Sequence, residues 1–512
     1  MPERLISKQI KGGKKMSILT SLQDLKRYGK DKKIVPVAKE ILSDMVTPIE
    51  VLKRLKKVSK RTYILESVVS QSYWGRYTFL GYDPILNLEL KNGILTKTDL
   101  LTEEKEVYEV GKGKDVEKPG DIIRKIIDDN TSPRIPGLPS FTGGLIGYFS
   151  YDFIKYAEPV LKLKEANEDD FSDMDLMLFD KVIAFDNIMQ KLVLIVNIKT
   201  DNLIENYVAA LANLDHMEEL IISGEKENVP KGRLLSDFKA AFSKEEYEEM
   251  VEKGKRYIFE GDIFQVVLSN KQEAEFAGSL FDTYRILRSS NPSPYMFYFD
   301  INGEEIAGAS PETLTKLDNG DLYTFPLAGT RKRGRTPAED KEIEAELLQD
   351  EKELAEHNML VDLGRNDLGR VAKFGTVEVV DYMSVEKYSH VMHIGSTVKG
   401  EIDDSKYDAT DAIASILPAG TLSGAPKIRA CQIIDELEGD RRGIYGGAIG
   451  YIDFTGNMDT CIAIRLIFKK NGKVTVRSGA GIVADSFPAN EYQECINKAG
   501  AVIDAIKEAN ER

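Results

Sequence analysis

Apolar positions fall into two patterns along this chain: short β-rich runs separated by turn dipeptides, and longer segments with helical spacing. In the first half, Arg61–Val69 (RTYILESVV) and Arg76–Leu80 read as strands. Asn92-Gly93 divides LNLEL from ILTKT as a tight hairpin does, and Val182–Phe185 with Leu192–Ile198 forms a further antiparallel pair. A helix-like stretch from Asp201 to Ile222 leads into the polar segment Ser223–Ser236, SGEKENVPKGRLLS, which is the clearest internal boundary. Beyond it, Ser243-Lys244-Glu245-Glu246 matches a capping box that opens a helix with Tyr247, Met250, Val251 and Ile258 on one face. Ile263–Ser269 then reads as a buried strand.

Hairpin dipeptides recur at Asn302-Gly303, Asn319-Gly320, Gly456-Asn457 and Asn471-Gly472, each between β-rich runs. Helical segments near Ala338–Leu363, Asp408–Ile416, Ala425–Glu438 and Asn490–Ala509 separate them. Hairpins demand antiparallel sheets, so the fold class is α+β. No fixed-period repeat is present. The expected division is a disordered extension over 1–16, with Met16 as an alternative start, a first region 17–222, a linker 223–236 and a second region 237–512.

Composition narrows the function. Of 512 residues, 42% are apolar and 30% charged, as in globular proteins with a sizeable core. The net charge of −15 argues against nucleic acid or an anionic membrane as partner but leaves room for one basic pocket. Cys431, Cys461 and Cys495 have neither disulfide nor zinc spacing and read as buried reduced thiols of a cytoplasmic protein. No apolar run reaches the roughly 20 residues that span a bilayer, and the basic N-terminus lacks the apolar core of a secretory signal. Storage, fibre and channel roles drop out. Trp74 is expected in the core.

Two glycine motifs fail as nucleotide sites. Gly479-Ala480-Gly481-Ile482-Val483-Ala484 matches GxGxxG/A, but Asp485-Ser486-Phe487-Pro488 follows where a helix is needed. Its small residues still let a carboxylate approach main-chain N–H groups. Gly420-Thr421-Leu422-Ser423-Gly424-Ala425-Pro426-Lys427 has the wrong spacing for a phosphate loop, and Pro426 marks a helix start there. Glu353 and Glu356, and again Glu491 and Glu494, are three apart on helical segments, so each pair shares a face. Four such carboxylates suit a hard cation, although spacing alone favours a solvated acidic face. Nothing local gives His216, His357, His390 or His393 a role, and Arg331-Lys332-Arg333 reads as a basic turn or an anion clamp.

Taken together, NPSPYMFYFD (291–300), PLAGTRKRG (326–334), ELAEHNMLVDLGRNDLGR (353–370), VEKYSHVMH (385–393), LPAGTLSGAPKIRA (417–430), YGGAIGYIDFTGNMDTCIAIR (445–465) and GAGIVADSFPANEYQE (479–494) resemble the chorismate-utilising enzymes. Within them the resemblance is to the large, chorismate-binding subunits (component I) of anthranilate synthases, from about Ile34 to Ala509. It implies an antiparallel β-sandwich core flanked by helices. It implies Mg²⁺ held by Glu356 and Glu494 with Glu353 and Glu491 in support, and one chorismate carboxylate at the metal. The other carboxylate then meets Tyr445, Arg465 and the main chain of Gly479, Ala480 and Gly481, while Gly329 and Thr330 line the ring. Glu312 matches the family's general acid and His393 its active-site histidine, with Thr421 organising the pocket.

The implied reaction is amination of chorismate at C2 with loss of the C4 hydroxyl, then elimination of pyruvate to give anthranilate, the first step of tryptophan biosynthesis. Isochorismate and salicylate synthases carry a Lys, which activates water, where this chain has Gln265. Aminodeoxychorismate synthases, the alternative, often have a nucleophilic Lys at Ala328 and usually read GSITGAPK where this chain has GTLSGAPK. Glu66, Ser67, Pro294, Tyr295 and Met296, completed by Ile449 and Tyr451, match the family's tryptophan feedback site. No Gly-Cys-Gly nucleophile elbow is present, so the resemblance implies a separate glutamine amidotransferase subunit supplying ammonia.

Overall fold

A computed structural model describes residues 17–67, 75–111, 117–167, 170–387 and 391–511; the expected N-terminal extension, Trp74, His390 and the last residues of the first expected strand lie outside them. Two antiparallel sheets, of 14 and 12 strands among the described residues, pack face to face. Helices cover their outer sides, as the α+β reading and the implied sandwich require. Strands from both sides of 223–236 enter both sheets. Arg61–Glu66 pairs with Tyr295–Ile301, placing Glu66 opposite Met296, and Gly144–Phe149 pairs with Ala448–Asp453.

Most turns follow their dipeptides. Asn92-Gly93, Asn302-Gly303, Asn319-Gly320 and Asn471-Gly472 each have two successive positive φ angles, the type I′ geometry that suits the twist of the flanking strands. Gly456-Asn457 differs: it closes a longer loop in which Asp453 Oδ1 accepts from the backbone N–H groups of Thr455 (2.7 Å) and Asn457 (2.9 Å).

Two elements depart from the periodicity. The acidic segment forms two helices, Pro337–Leu347 and Glu351–Gly369, because the Asp350 carboxylate caps the second by accepting from Lys352 and Glu353 N–H. The strand expected over Ile263–Ser269 starts at Gln265 and continues to Ala277, since the facing strand Lys473–Ile482 offers ten residues of pairing.

The interior has three layers. Tyr63, Phe79, Phe141, Tyr148, Phe179, Phe297 and Phe299 fill the space between the sheets. The helices Leu203–Ser223, Phe281–Ser290 and Pro488–Glu511 contribute to a core with the outer face of the 14-stranded sheet, and Pro119–Asp128 with Ala409–Ile416 to one with the other sheet. No helix among the described residues is long and apolar enough to cross a membrane.

Two of the chain's crossings between the sheets run side by side. Glu304–Ser310 of one sheet passes through Pro311-Glu312 into Thr313–Asp318 of the other. Met458–Ile462 returns through Ala463–Arg465 to Leu466–Lys470. Both sides of the crossing are paired, 304–310 with 466–470 and 313–318 with 458–462. Cross-links hold it: Ile462 N–H donates to Glu312 O (2.9 Å), Ala309 N–H to Arg465 O (3.1 Å) and the Ser310 hydroxyl to Ile462 O (2.6 Å).

Beside the crossing lies a buried ion pair. Arg442 Nε donates to Glu438 Oε2 (2.9 Å) and Nη2 to Val267 O (2.6 Å), while Glu438 Oε1 accepts from Ser269 N–H (2.7 Å) and Oγ (2.9 Å). The pair ties the end of helix Lys427–Glu438 to the strand Gln265–Ala277. Removing one partner strands the other in low dielectric, so Glu438→Ala is expected to cost about 3–5 kcal/mol, read as a lower urea midpoint with unchanged m-value.

Candidate active site

Glu312 stands at the first crossing, half-buried, and its Oε1 accepts from Thr421 Oγ1 at 3.2 Å. Thr421 comes from the 3₁₀ turn Gly420–Leu422, so the phosphate-loop lookalike is a structural turn ahead of helix Lys427–Glu438. Burial pushes the Glu312 carboxyl up to about 7, against smaller opposing effects of Thr421, Lys498 and Arg465. Arg465, at the second crossing, has a left-handed backbone (φ 51°). Burial lowers its pKa, and no carboxylate among the described residues forms an ion pair with it. A desolvated guanidinium without a carboxylate partner is poised for an anionic ligand.

His393 lies on the strand Val391–Glu401 opposite Thr330. A bulge at Gly329 (φ 61°) turns that residue's carbonyl toward the imidazole, and Nδ1 lies 3.0 Å from Gly329 O and 3.1 Å from Thr330 Oγ1. A carbonyl only accepts, so Nδ1 carries the proton and Nε2 the basic lone pair. Burial lowers the His393 pKa, which keeps the ring neutral. A Cβ on Gly329 would sit 3.3 Å from Glu353 Oε2, so this bulge adjoins the carboxylates.

The four glutamates converge from the helices Glu351–Gly369 and Pro488–Glu511. Burial, then Glu353 and Glu494 nearby, raise the Glu356 pKa; burial and Glu494 raise that of Glu491. Lys352 and Lys498 oppose this; Lys498 pairs with Glu494 at 2.7 Å, and Arg331 with Glu353 at 3.1 Å. Arg331 also bonds Asp350 (2.7 Å), so the basic turn is spent on this acidic helix start. Acidic oxygens held together at a cost in charge repulsion suit a hard divalent cation that keeps most of its waters. Among the described residues no three acidic, His or Cys side chains are already placed to hold a metal ion.

The strand Lys473–Ile482 supplies Gly479, Ala480 and Gly481. Its glycines answer packing as well as ligand approach: a Cβ on Gly479 would lie 2.5 Å from Leu268 O, and one on Gly481 2.6 Å from Gln265 Nε2. Lys498 Nζ donates to Gly479 O (3.2 Å), which links this strand to the glutamate cluster. Tyr445 is buried nearby, with the Arg442 guanidinium 5.8 Å from its ring.

A second site opens between the sheets, a cavity of ≈ 650 Å³ lined by Glu66, Ser67, Pro294, Tyr295, Met296, Ile449 and Tyr451 together. Glu66 is already engaged: Arg288 grips it at 2.7 and 2.8 Å and Tyr284 donates at 2.5 Å. Ser67 Oγ is buried without a hydrogen-bond partner among the described residues. The Tyr295 phenol reaches across to Thr313 Oγ1 and Asp459 Oδ1, both at 2.9 Å.

The model of the chorismate binding enzyme family matches residues 83–504. The chain belongs to that family. Anthranilate synthase component 1 of Acetivibrio thermocellus is 46% identical over 502 residues, covering 96% of this chain and 99% of that protein. The crystal structure of anthranilate synthase component I from Streptococcus pneumoniae TIGR4 superposes with a TM-score of 0.73 at 39% identity, over 90% of this chain and 98% of that one. MenF, the menaquinone-specific isochorismate synthase of Escherichia coli, gives 0.66 at 18% identity over 95% and 99%, a likeness of fold alone.

For a chorismate-binding enzyme, the sequence motifs missed several participants. Lys498 is visible only as the residue four beyond Glu494, a spacing shared with any exposed helix pair. Arg288 and Asp459 carried no motif; tertiary pairing brings them to the cavity. His357 is a structural residue, buried and held near 4 by desolvation, with Nε2 2.7 Å from Ser396 Oγ. All three cysteines are buried and unpaired, as their spacing implied.

The raised Glu312 pKa is a stability cost. A carboxyl that titrates higher when folded favours the native state below its unfolded pKa, near 4.5, and loses that contribution as pH rises through about 7. Glu312→Gln is therefore expected to be more stable than the parent at pH 8 by on the order of 1–2 kcal/mol, and no more stable at pH 4. Urea titrations at the two pH values check this.

Proposed function

We propose that this chain converts chorismate and ammonia to anthranilate and pyruvate, with Mg²⁺ bound, ammonia delivered from glutamine by a separate amidotransferase subunit, and feedback inhibition by tryptophan. The observation that carries the reading is the paired crossing, which sets an unpaired guanidinium, Arg465, beside a carboxylic acid, Glu312, that stays protonated near neutrality. Anthranilate synthase component 1 proteins, the relatives named above, support the choice of product.

Arg465 takes one carboxylate of chorismate in a charge-assisted bond, and the N–H groups around Gly479–Gly481 add donors. Glu356 and Glu494, with Glu353 and Glu491 behind them, would hold Mg²⁺, which would supply the positive charge that neutralises the other carboxylate. Ammonia adds at C2 as the C4 hydroxyl leaves, and Glu312 gives its proton to that oxygen so that water departs. Thr421 holds the Glu312 carboxyl in place. His393 Nε2 then takes the C2 proton, its ring fixed by the Gly329 carbonyl, and the enolpyruvyl group leaves as pyruvate. Regulation is assigned to the cavity between the sheets, where tryptophan would meet Ser67 and the segment Pro294–Met296.

The purified chain with chorismate, Mg²⁺ and excess ammonium is expected to produce anthranilate fluorescence that tryptophan suppresses. Chorismate consumed without anthranilate would move the assignment to aminodeoxychorismate synthesis. Glu312→Gln is expected to lower kcat by about 10²–10⁴-fold, the usual span for a general acid. In the parent, rate should fall as pH rises through about 7, because only the protonated Glu312 donates. Arg465→Met is expected to raise KM for chorismate at least tenfold, an expectation checked by steady-state kinetics.

A further inference from the structure

Arg442 is buried, with 1% of its side chain exposed, and its planar fork joins three elements rather than two. Beyond the pair with Glu438 and the bond to Val267 O, its Nη1 donates to Leu422 O at 2.5 Å. Leu422 closes the 3₁₀ turn from which Thr421 donates to Glu312. The two carbonyls flank a main-chain bond, Val267 N–H to Ser423 O at 2.9 Å, that ties this turn to the strand Gln265–Ala277. Aromatic rings fix the guanidinium: its central carbon lies 4.7 Å from the centre of the Tyr151 ring and 5.8 Å from that of Tyr445. Gly446 completes the packing. A Cβ there would sit 3.2 Å from Tyr151 and 3.6 Å from Leu422, and its N–H donates to Ala463 O (2.8 Å) in the second crossing.

We propose that Arg442 is a positioning residue for the reaction, acting through Leu422 to hold the Thr421 hydroxyl against Glu312. The assignment rests on the reading of Glu312 as the proton donor and names the group that keeps it aimed. A buried ion pair is a poor choice for tying a helix to a strand, because apolar side chains of similar volume do that as well or better. What they cannot supply is a rigid fork that meets two carbonyls at once. Thr421 stands in the middle of its turn, and Gly420 before it has no side chain to anchor. The Leu422 carbonyl is therefore the fixed point beside it. At 3.2 Å the Thr421–Glu312 bond is already long for a hydroxyl donor, so a small shift of the turn breaks it.

The test is a double-mutant cycle on the full chain with chorismate, Mg²⁺ and ammonium. Thr421→Val removes the hydroxyl, and Arg442→Lys keeps the charge beside Glu438 but loses the fork. Each is expected to lower kcat/KM for chorismate about tenfold, the worth of one hydrogen bond to a charged group. Each should also move the alkaline limb of the kcat/KM profile to higher pH, because the Thr421 hydroxyl holds the Glu312 pKa down. In the Arg442→Lys background, Thr421→Val is expected to change neither the rate nor the limb further, since the contact it removes is already lost. Independent effects, about hundredfold together, or an unmoved limb in Arg442→Lys, overturn the assignment. Should Arg442→Lys not fold, the neutral pair Arg442→Gln/Glu438→Gln takes its place in the cycle and is read the same way. Chorismate consumed without anthranilate changes the product but leaves the cycle, followed as chorismate loss, decisive. A parent chain inert toward chorismate overturns the reading of the site and this assignment with it.

Discussion

Two neighbouring strands leave one sheet for the other at the same place, and the chemistry of this protein hangs on that paired crossing. Sheets that part leave backbone donors and acceptors facing a gap, and each needs a partner in low dielectric. Ser310, Ala309 and Ile462 satisfy the crossing backbones, so the side chains of Glu312 and Arg465 are not spent on them. The same scarcity of water raises the pKa of Glu312 and lowers that of Arg465. One geometric feature therefore produces both a carboxyl raised toward neutrality and a desolvated guanidinium, the pair on which the proposed chemistry rests.

Such a site is held together against its own electrostatics. Glu356 and Glu491 are raised by burial and by fellow carboxylates, and Lys352 and Lys498 offset only part of that rise. The frame that resists is mostly sheet: ten paired residues between Gln265–Ala277 and Lys473–Ile482, pinned from behind by Arg442 and Glu438. Stability invested in that frame permits strain at Gly329 and charge at the glutamates.

The cavity between the sheets is built from the same two strands as the crossing. Thr313, bonded to Tyr295 in the cavity, directly follows Glu312, and Asp459 lies on the strand that runs through the crossing into Arg465. The cavity and the paired crossing thus share strands, with no intervening loop between Thr313 and Glu312.

Local sequence determined much of this. Asn-Gly dipeptides dictate type I′ turns because their backbones accept positive φ, and the turns dictate antiparallel sheets. The capping box at Ser243 and the capped helix at Asp408 begin where their side chains can satisfy free N–H groups. Motif resemblance located Glu312, His393, Arg465 and the glutamate pairs. Tertiary structure alone decided which groups are left without partners. Nothing in the local sequence of Glu66 tells that Arg288, more than two hundred residues away, grips its carboxylate. The acidic run broke into two helices at Asp350, which caps the second; that Arg331 grips the same carboxylate from a distant strand is a pairing no helical periodicity encodes. Charge, burial and hydrogen-bond satisfaction are properties of surroundings, and the surroundings here are assembled from strands distant in sequence.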